Sequence, residues 1–187
     1  ENFSLMAKSK SAYSEPTKLG KSDHHIIVVW VDNETGVLAR VIGLFSGRGY
    51  NIESLAVAEV DKLKHLSRIT IVSIGTPQVI EQIKLQLRKL LCVHRVADFN
   101  RNDPDILFRE LALFKIVSSS KNQEKVKKVC KKYNSVILDK SKKSFVIQIT
   151  ALRREVDKLI TTIKPLGLVS ISRTGAVAMT RGPEVFK

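Results

Sequence analysis

The sequence predicts an α+β fold made of two tandem ferredoxin-like βαββαβ units, the first over residues 24–100 and the second over 106–187. Three observations carry this. Apolar period alternates between strand-like and helix-like in the order strand, helix, strand, strand, helix, strand, and the order then repeats. A polar break containing Pro104, Asn100 to Asp105, separates the two copies. The chain of 187 residues, 43% of them hydrophobic, is long enough for two small units. A unit of roughly 75 residues buries only about 60% of its unfolded surface, so each gains from pairing with something.

The first strand is the apolar run Ile26 to Val31, broken by Asp32-Asn33-Glu34-Thr35-Gly36. A helix follows, in which Val37, Val41, Leu44 and Phe45 share one face. Gly47 and Gly49 are expected to end it in a left-handed turn. The second strand is Asn51 to Val60, the third Leu66 to Ile74, and Asp61, Lys62 and Lys64 mark the hairpin between them. Thr76 as N-cap and Pro77 in the first turn open the second helix, whose buried stripe is Val79, Ile80, Ile83, Leu87 and Leu90. The fourth strand runs Cys92 to Phe99.

In the second copy the strands are Leu111 to Val117, Val136 to Asp139, Phe145 to Thr150 and Leu168 to Ser172. The helices are Asn122 to Tyr133 and Arg153 to Ile163, the latter closed by Pro165 and Gly167. Each sheet carries its helices on one face only, so the other face and the edge strands are left to be covered.

Composition excludes several classes of function. No apolar run approaches the roughly 18 residues of a membrane span. Residues 1–23 are polar and read as a disordered tail without a secretory pattern. A transit peptide fits them less well, because Arg is absent and Glu1 and Glu15 are present. Cys92 and Cys130 form neither a disulfide framework nor a zinc set, and reduced thiols suit a cytoplasmic protein. His24, His25, His65 and His94 have no metal-ligand spacing. The net charge of +14 is mostly lysine and is densest from Lys121 to Lys143. Lys121, Lys125, Lys128 and Lys132 lie opposite Val126, Val129, Cys130 and Tyr133 on a predicted helix, with no interleaved aromatics to stack bases. That is a solvated face, and no nucleic-acid partner is expected. No catalytic triad, dinucleotide fingerprint or P-loop occurs.

One segment carries a candidate site, Asn33 to Leu55, NETGVLARVIGLFSGRGYNIESL. Thr35 can cap the helix, and Gly36 lets a ligand approach the backbone. The N–H groups of Gly36, Val37 and Leu38 at the helix start then form an anion site suited to a carboxylate. Asn33 offers an amide carbonyl to a ligand ammonium and N–H groups to its carboxylate. Asn51 adds polar groups and Ile52 an apolar wall. If two copies pair edge to edge, these residues enclose a small aliphatic amino acid. Spacing alone leaves this open against a plain helix cap and a plain glycine stop.

The same segment resembles the first ACT domain of acetolactate synthase small subunits. The pattern Asn-Glu-x-Gly-Val-Leu-x-Arg is matched at Asn33, Glu34, Gly36, Val37, Leu38 and Arg40. Gly-Leu-Phe-Ser-x-Arg-Gly-Tyr-Asn-Ile-Glu-Ser-Leu is matched from Gly43 to Leu55. The resemblance continues through Leu66 to Ile71, Val79 to Ile83, Arg109 to Leu113, and Ser172 to Ala176 with Arg181-Gly182. Thr35 departs from the proline or serine common there and keeps the capacity to cap.

The resemblance implies a regulatory subunit of acetolactate synthase, in branched-chain amino-acid biosynthesis, with no active site of its own. It implies a homodimer that activates the large catalytic subunit and confers inhibition by valine or a related amino acid. Effector contacts would fall on Asn33, Gly36, Val37, Leu38, Asn51 and Ile52. Thiamine diphosphate, magnesium and FAD would belong to the catalytic subunit, and this chain would hold no cofactor or metal. An ACT-type sensor acting on a different enzyme is the alternative.

Overall fold

The computed structural model describes residues 22–48, 50–100 and 103–183. The tail expected over 1–23 lies outside these up to residue 21, as does Gly49. The first unit is β1 (Asp23–Asp32), α1 (Val37–Ser46), β2 (Ser54–Asp61), β3 (Leu66–Gly75), α2 (Pro77–Leu87) and β4 (Val93–Asn100). Its strands form an antiparallel sheet in the order β2-β3-β1-β4. The second unit is β5 (Ile106–Val117), α3 (Ser120–Lys132), β6 (Val136–Lys140), β7 (Ser144–Ala151), α4 (Arg153–Ile163) and β8 (Leu168–Arg173). Its order β6-β7-β5-β8 is the same topology, and a short β9 (Val177–Thr180) pairs with the first half of β5. The fold is α+β, two tandem ferredoxin-like units.

The helices form where the sequence pattern requires. Val37, Val41 and Phe45 of α1 and Ile80, Ile83 and Leu87 of α2 are buried against Ile27, Val29, Val31, Ile69 and Ile71. In the second unit Val126, Cys130, Val156, Leu159 and Ile163 pack on Ala112, Phe114, Ile116, Phe145 and Ile147. Thr76 accepts the Val79 N–H at 3.4 Å and Pro77 follows it, so this start behaves as its residues dictate. Burial pushes the Cys130 thiol up, which keeps it an inert apolar filler.

Both faces of β1 are buried, which is why its apolar run is continuous rather than alternating. Ile27, Val29 and Val31 face the helices, whereas Ile26 and Val28 join Val72, Ile106, Phe108 and Ala178 on the other side. The helix-free face of the first sheet is therefore covered by β5 and β9 of the same chain. Strand β5 begins at Ile106, five residues before the expected start at Leu111. Its even positions from Ile106 to Ile116 are all buried: Ile106 and Phe108 against the first unit, Ala112, Phe114 and Ile116 within the second. Strand β2 also starts later than expected, at Ser54, which leaves Asn51 and Ile52 in the connection before it.

Polar contacts pin the two units together. Arg153 donates to Glu53 at 3.1 Å, and His24 lies 3.3 Å from the same carboxylate. Arg68 donates to the Ala178 carbonyl while its guanidinium lies 5.2 Å over Trp30. Burial pulls this guanidinium below the usual arginine range. Between β8 and β9 the chain crosses at Thr174-Gly175-Ala176. Thr174 donates its N–H to the Leu111 carbonyl at 3.0 Å and takes the Leu111 N–H on its hydroxyl at 3.1 Å.

Gly175 has φ +78, and a Cβ there would come within 2.9 Å of Ser54 Cβ in the first unit. Gly175→Ala is expected to cost at least about 1–2 kcal/mol in left-handed backbone strain alone. In urea the unfolding midpoint should fall while the slope stays constant.

Candidate functional site

The loop from β1 to α1 is a compact turn. The Asn33 N–H donates to the His65 carbonyl at 2.7 Å, fixing the end of β1 against the β2–β3 hairpin. The Asn33 side chain is held on both sides. Its Nδ2 donates to Glu59 Oε1 at 3.0 Å, and its Oδ1 accepts from the Ser67 hydroxyl at 2.9 Å. Each group retains capacity, because the amide nitrogen carries a second hydrogen and the oxygen a second lone pair. Asn33 thus has a structural role as well as a place in the candidate site.

The helix start differs from the sequence expectation. Thr35 does not cap α1: the N-cap is Gly36, at φ 85 and ψ −9, with no side-chain cap bond. That left-handed conformation is what requires glycine here. The Val37 N–H is not free, since it closes a turn onto the Glu34 carbonyl at 3.3 Å. The N–H groups of Gly36 and Leu38 have no partner among the described residues and remain available at the positive end of the helix. A Cβ on Gly36 would meet no atom within 4 Å, so the approach to these donors is open. Val37 is buried in the core and serves as an anchor, whereas Leu38 is 37% exposed and presents an aliphatic surface beside the donors.

At the other end of α1, Gly47 is right-handed at φ −65 rather than left-handed. The turn there is made by the Tyr50 N–H donating to the Phe45 carbonyl at 2.9 Å, with the two rings edge to face at 6.3 Å. Asn51 is exposed, and its carbonyl accepts the Ser73 hydroxyl at 2.8 Å. Ile52 is half-buried against the first core. The main clefts of the single chain are lined by residues other than Asn33, Gly36, Val37, Leu38, Asn51 and Ile52. None of these clefts joins the helix start to the Asn51 corner.

The residues that sequence reasoning missed here are Glu59, Ser67 and Ser73. Their bonds to this corner cross between strands and carry no local signal. Three of the four histidines pair with carboxylates: His25 with Asp98 at 3.1 Å and His94 with Asp32 at 2.5 Å, besides His24 with Glu53. Among the described residues no group of three or more His, Cys, Asp or Glu could hold a metal ion. No helix among them is long and apolar enough to cross a membrane.

Two family models divide the chain between them. The AHAS small subunit-like ACT domain matches residues 27–95, and the small subunit of acetolactate synthase matches 109–182. An acetolactate synthase small subunit of Aquifex aeolicus is 38% identical over 181 residues, covering 94% of this chain and 93% of that one.

The chain belongs to the family of acetolactate synthase small subunits.

The isozyme 3 small subunit of Escherichia coli is 37% identical and covers 87% of this chain and 98% of its own. The crystal structure of the acetolactate synthase small subunit from Thermotoga maritima superposes with a TM-score of 0.79 at 32% identity. It covers 86% of this chain and 99% of its own. The ACT-domain match includes both groups of the candidate site, and the second match takes in β8, the Thr174 crossover and β9.

Proposed function

We propose that this chain is the regulatory subunit of an acetolactate synthase. It activates a separate catalytic subunit and carries inhibition by valine or another branched-chain amino acid. The observation that supports this most is the start of α1: an open left-handed glycine followed by unpartnered N–H groups, with an aliphatic side chain, Leu38, beside them. A carboxylate is the fitting anion, since the segment Asn33 to Leu38 carries no lysine of its own to hold a phosphate. The ligand's ammonium would take the spare lone pair of Asn33 Oδ1.

Strand β2 is an edge of the first sheet, and its residues from Val57 to Val60 are exposed. Pairing of two such edges would bring the Asn51-Ile52 corner of one protomer toward the helix start of the other. The homodimer is thus part of the site. Val37 contributes by anchoring the turn rather than by donating. Thiamine diphosphate, magnesium and FAD are assigned to the catalytic subunit and none to this chain.

Regulation follows from linkage. If valine binds more tightly to the less activating arrangement of the dimer, it moves the population there, and the catalytic subunit must weaken valine binding by the same factor. Coupling of this type is typically about 1–3 kcal/mol. Acetolactate formation should be measured for the catalytic subunit alone, with this chain, and with this chain over a valine titration, alongside sedimentation of this chain. Expected are a rise on adding the chain, a fall with valine, and a dimer at micromolar concentration. No change in rate on either addition would refute the assignment, and a fully active monomer would refute the shared site.

A further inference from the structure

A second cleft lies between the two units, away from the α1 corner. Its volume is about 310 Å³. The first unit contributes His24, Ile26 and Val72, and the second contributes residues 106–110, 152–154, Ala176 and Arg181. The floor is apolar: Ile26, Val72, Ile106 and Phe108 are buried.

The charges around it are unequally satisfied. Glu110 is bound to Arg173, and Arg153 to Glu53. The Asp103 carboxylate already accepts the Asp105 N–H at 3.0 Å. Among the described residues Arg109 reaches its neighbour's carbonyl, at Phe108, and no carboxylate. The guanidiniums of Arg154 and Arg181, both exposed on the rim, have no partner among the described residues. The cleft therefore has an apolar floor and a cationic mouth, and among the described residues Asp103 is its carboxylate without a cationic partner.

We infer that this cleft binds a small aliphatic carboxylate lacking an ammonium group. An apolar body fits the floor formed by Ile26, Val72 and Phe108, and the carboxylate meets the positive charge of Arg154 and Arg181 at the mouth. Arg109, Arg154 and Arg181 against Asp103 leave the mouth with net positive charge, which favours an anion over a net-neutral zwitterion. The volume is at the lower end for small-molecule sites, and the position between two units is a common one for them. Because the lining comes from both units, an occupant bears on how they are held together, next to the Glu53–Arg153 bridge. This site is independent of the effector corner at Gly36.

The test uses the full chain and 3-methyl-2-oxobutanoate, which has the shape of valine without the ammonium. Calorimetry gives affinity, and methyl NMR reads Ile26, Val72 and Ile106. Binding is expected near about 0.1–1 mM, with shifts at these methyls, and about tenfold or more weaker in Arg154→Ala and Arg181→Ala. Thermal melting controls for folding, and Gly36→Asp should leave this binding intact while changing the response to valine. The inference is overturned if there is no binding up to about 20 mM. It is also overturned if affinity is unchanged in the double arginine variant, or if binding is lost in Gly36→Asp and kept in the arginine variants.

Discussion

Gly36→Asp is expected to abolish valine inhibition of the reconstituted synthase while activation persists. Residue 36 stands in open space at the mouth of the helix start, so its new carboxylate would occupy the place of the ligand carboxylate and repel it. Loss of one charge-assisted hydrogen bond, about 1.5–3 kcal/mol, weakens binding by roughly ten- to a hundredfold. The structure adds a cost that helix-dipole reasoning alone omits. Residue 36 is the left-handed N-cap at φ 85, not part of the first helical turn, so a side chain there is strained by roughly 1–2 kcal/mol. Aspartate tolerates that conformation better than most residues. Gly36→Ala separates the two effects, since it carries the strain without the charge. A valine titration with thermal melts of both variants checks this. Unchanged inhibition in a folded Gly36→Asp protein would place the effector elsewhere.

Arg173→Leu is expected to be the most destabilising of the substitutions considered. Glu110 is 3% exposed at the point where β5 changes partner from β9 to β8, and Arg173 is the cation bound to it. Burial alone would lower the Arg173 guanidinium, but hydrogen bonds to Asp157, at 2.7 Å, and to Glu110 outweigh it and hold the group above the usual arginine range. Removing Arg173 leaves a buried carboxylate uncompensated, a loss of about 3–5 kcal/mol. For a chain of this size the melting temperature should fall by on the order of 10 °C. The double variant Arg173→Leu with Glu110→Leu should recover most of that loss, because a buried pair replaced by apolar groups is often neutral. Calorimetric melts of the single and double variants test it. A double variant no more stable than Arg173→Leu alone would mean that the ion pair is not the source of the loss.

Sequence and structure part at identifiable residues. The βαββαβ order, the stripes of α1 and α2, and the Thr76-Pro77 start are local patterns, and local patterns survive folding. The strand β9 was missed because four residues, Val177 to Thr180, carry too little periodicity, and they pair only with the first half of β5. The early start of β5 was missed because Asp103, Pro104 and Asp105 read as a linker. The polar pair Arg109-Glu110 then hid an alternation that runs on from Ile106. Thr35 was expected to cap because its position in the sequence allowed it; the turn that closes from Val37 onto Glu34 makes Gly36 the cap instead.

By itself the sequence determined the fold class, the faces of the helices, and the glycine-started segment in which an effector corner is sought. These rest on period and on the steric latitude of single residues, which are written into consecutive positions. Only the tertiary structure decided that Asn33 is clamped by Ser67, 34 residues away, and that Glu53 meets Arg153 across 100 residues. It also decided that β5 and β9 cover the open face of the first sheet. Such contacts come from the energy of burying one surface against another and of pairing charges taken out of water. That energy depends on which surfaces meet, and no window of neighbouring residues contains it.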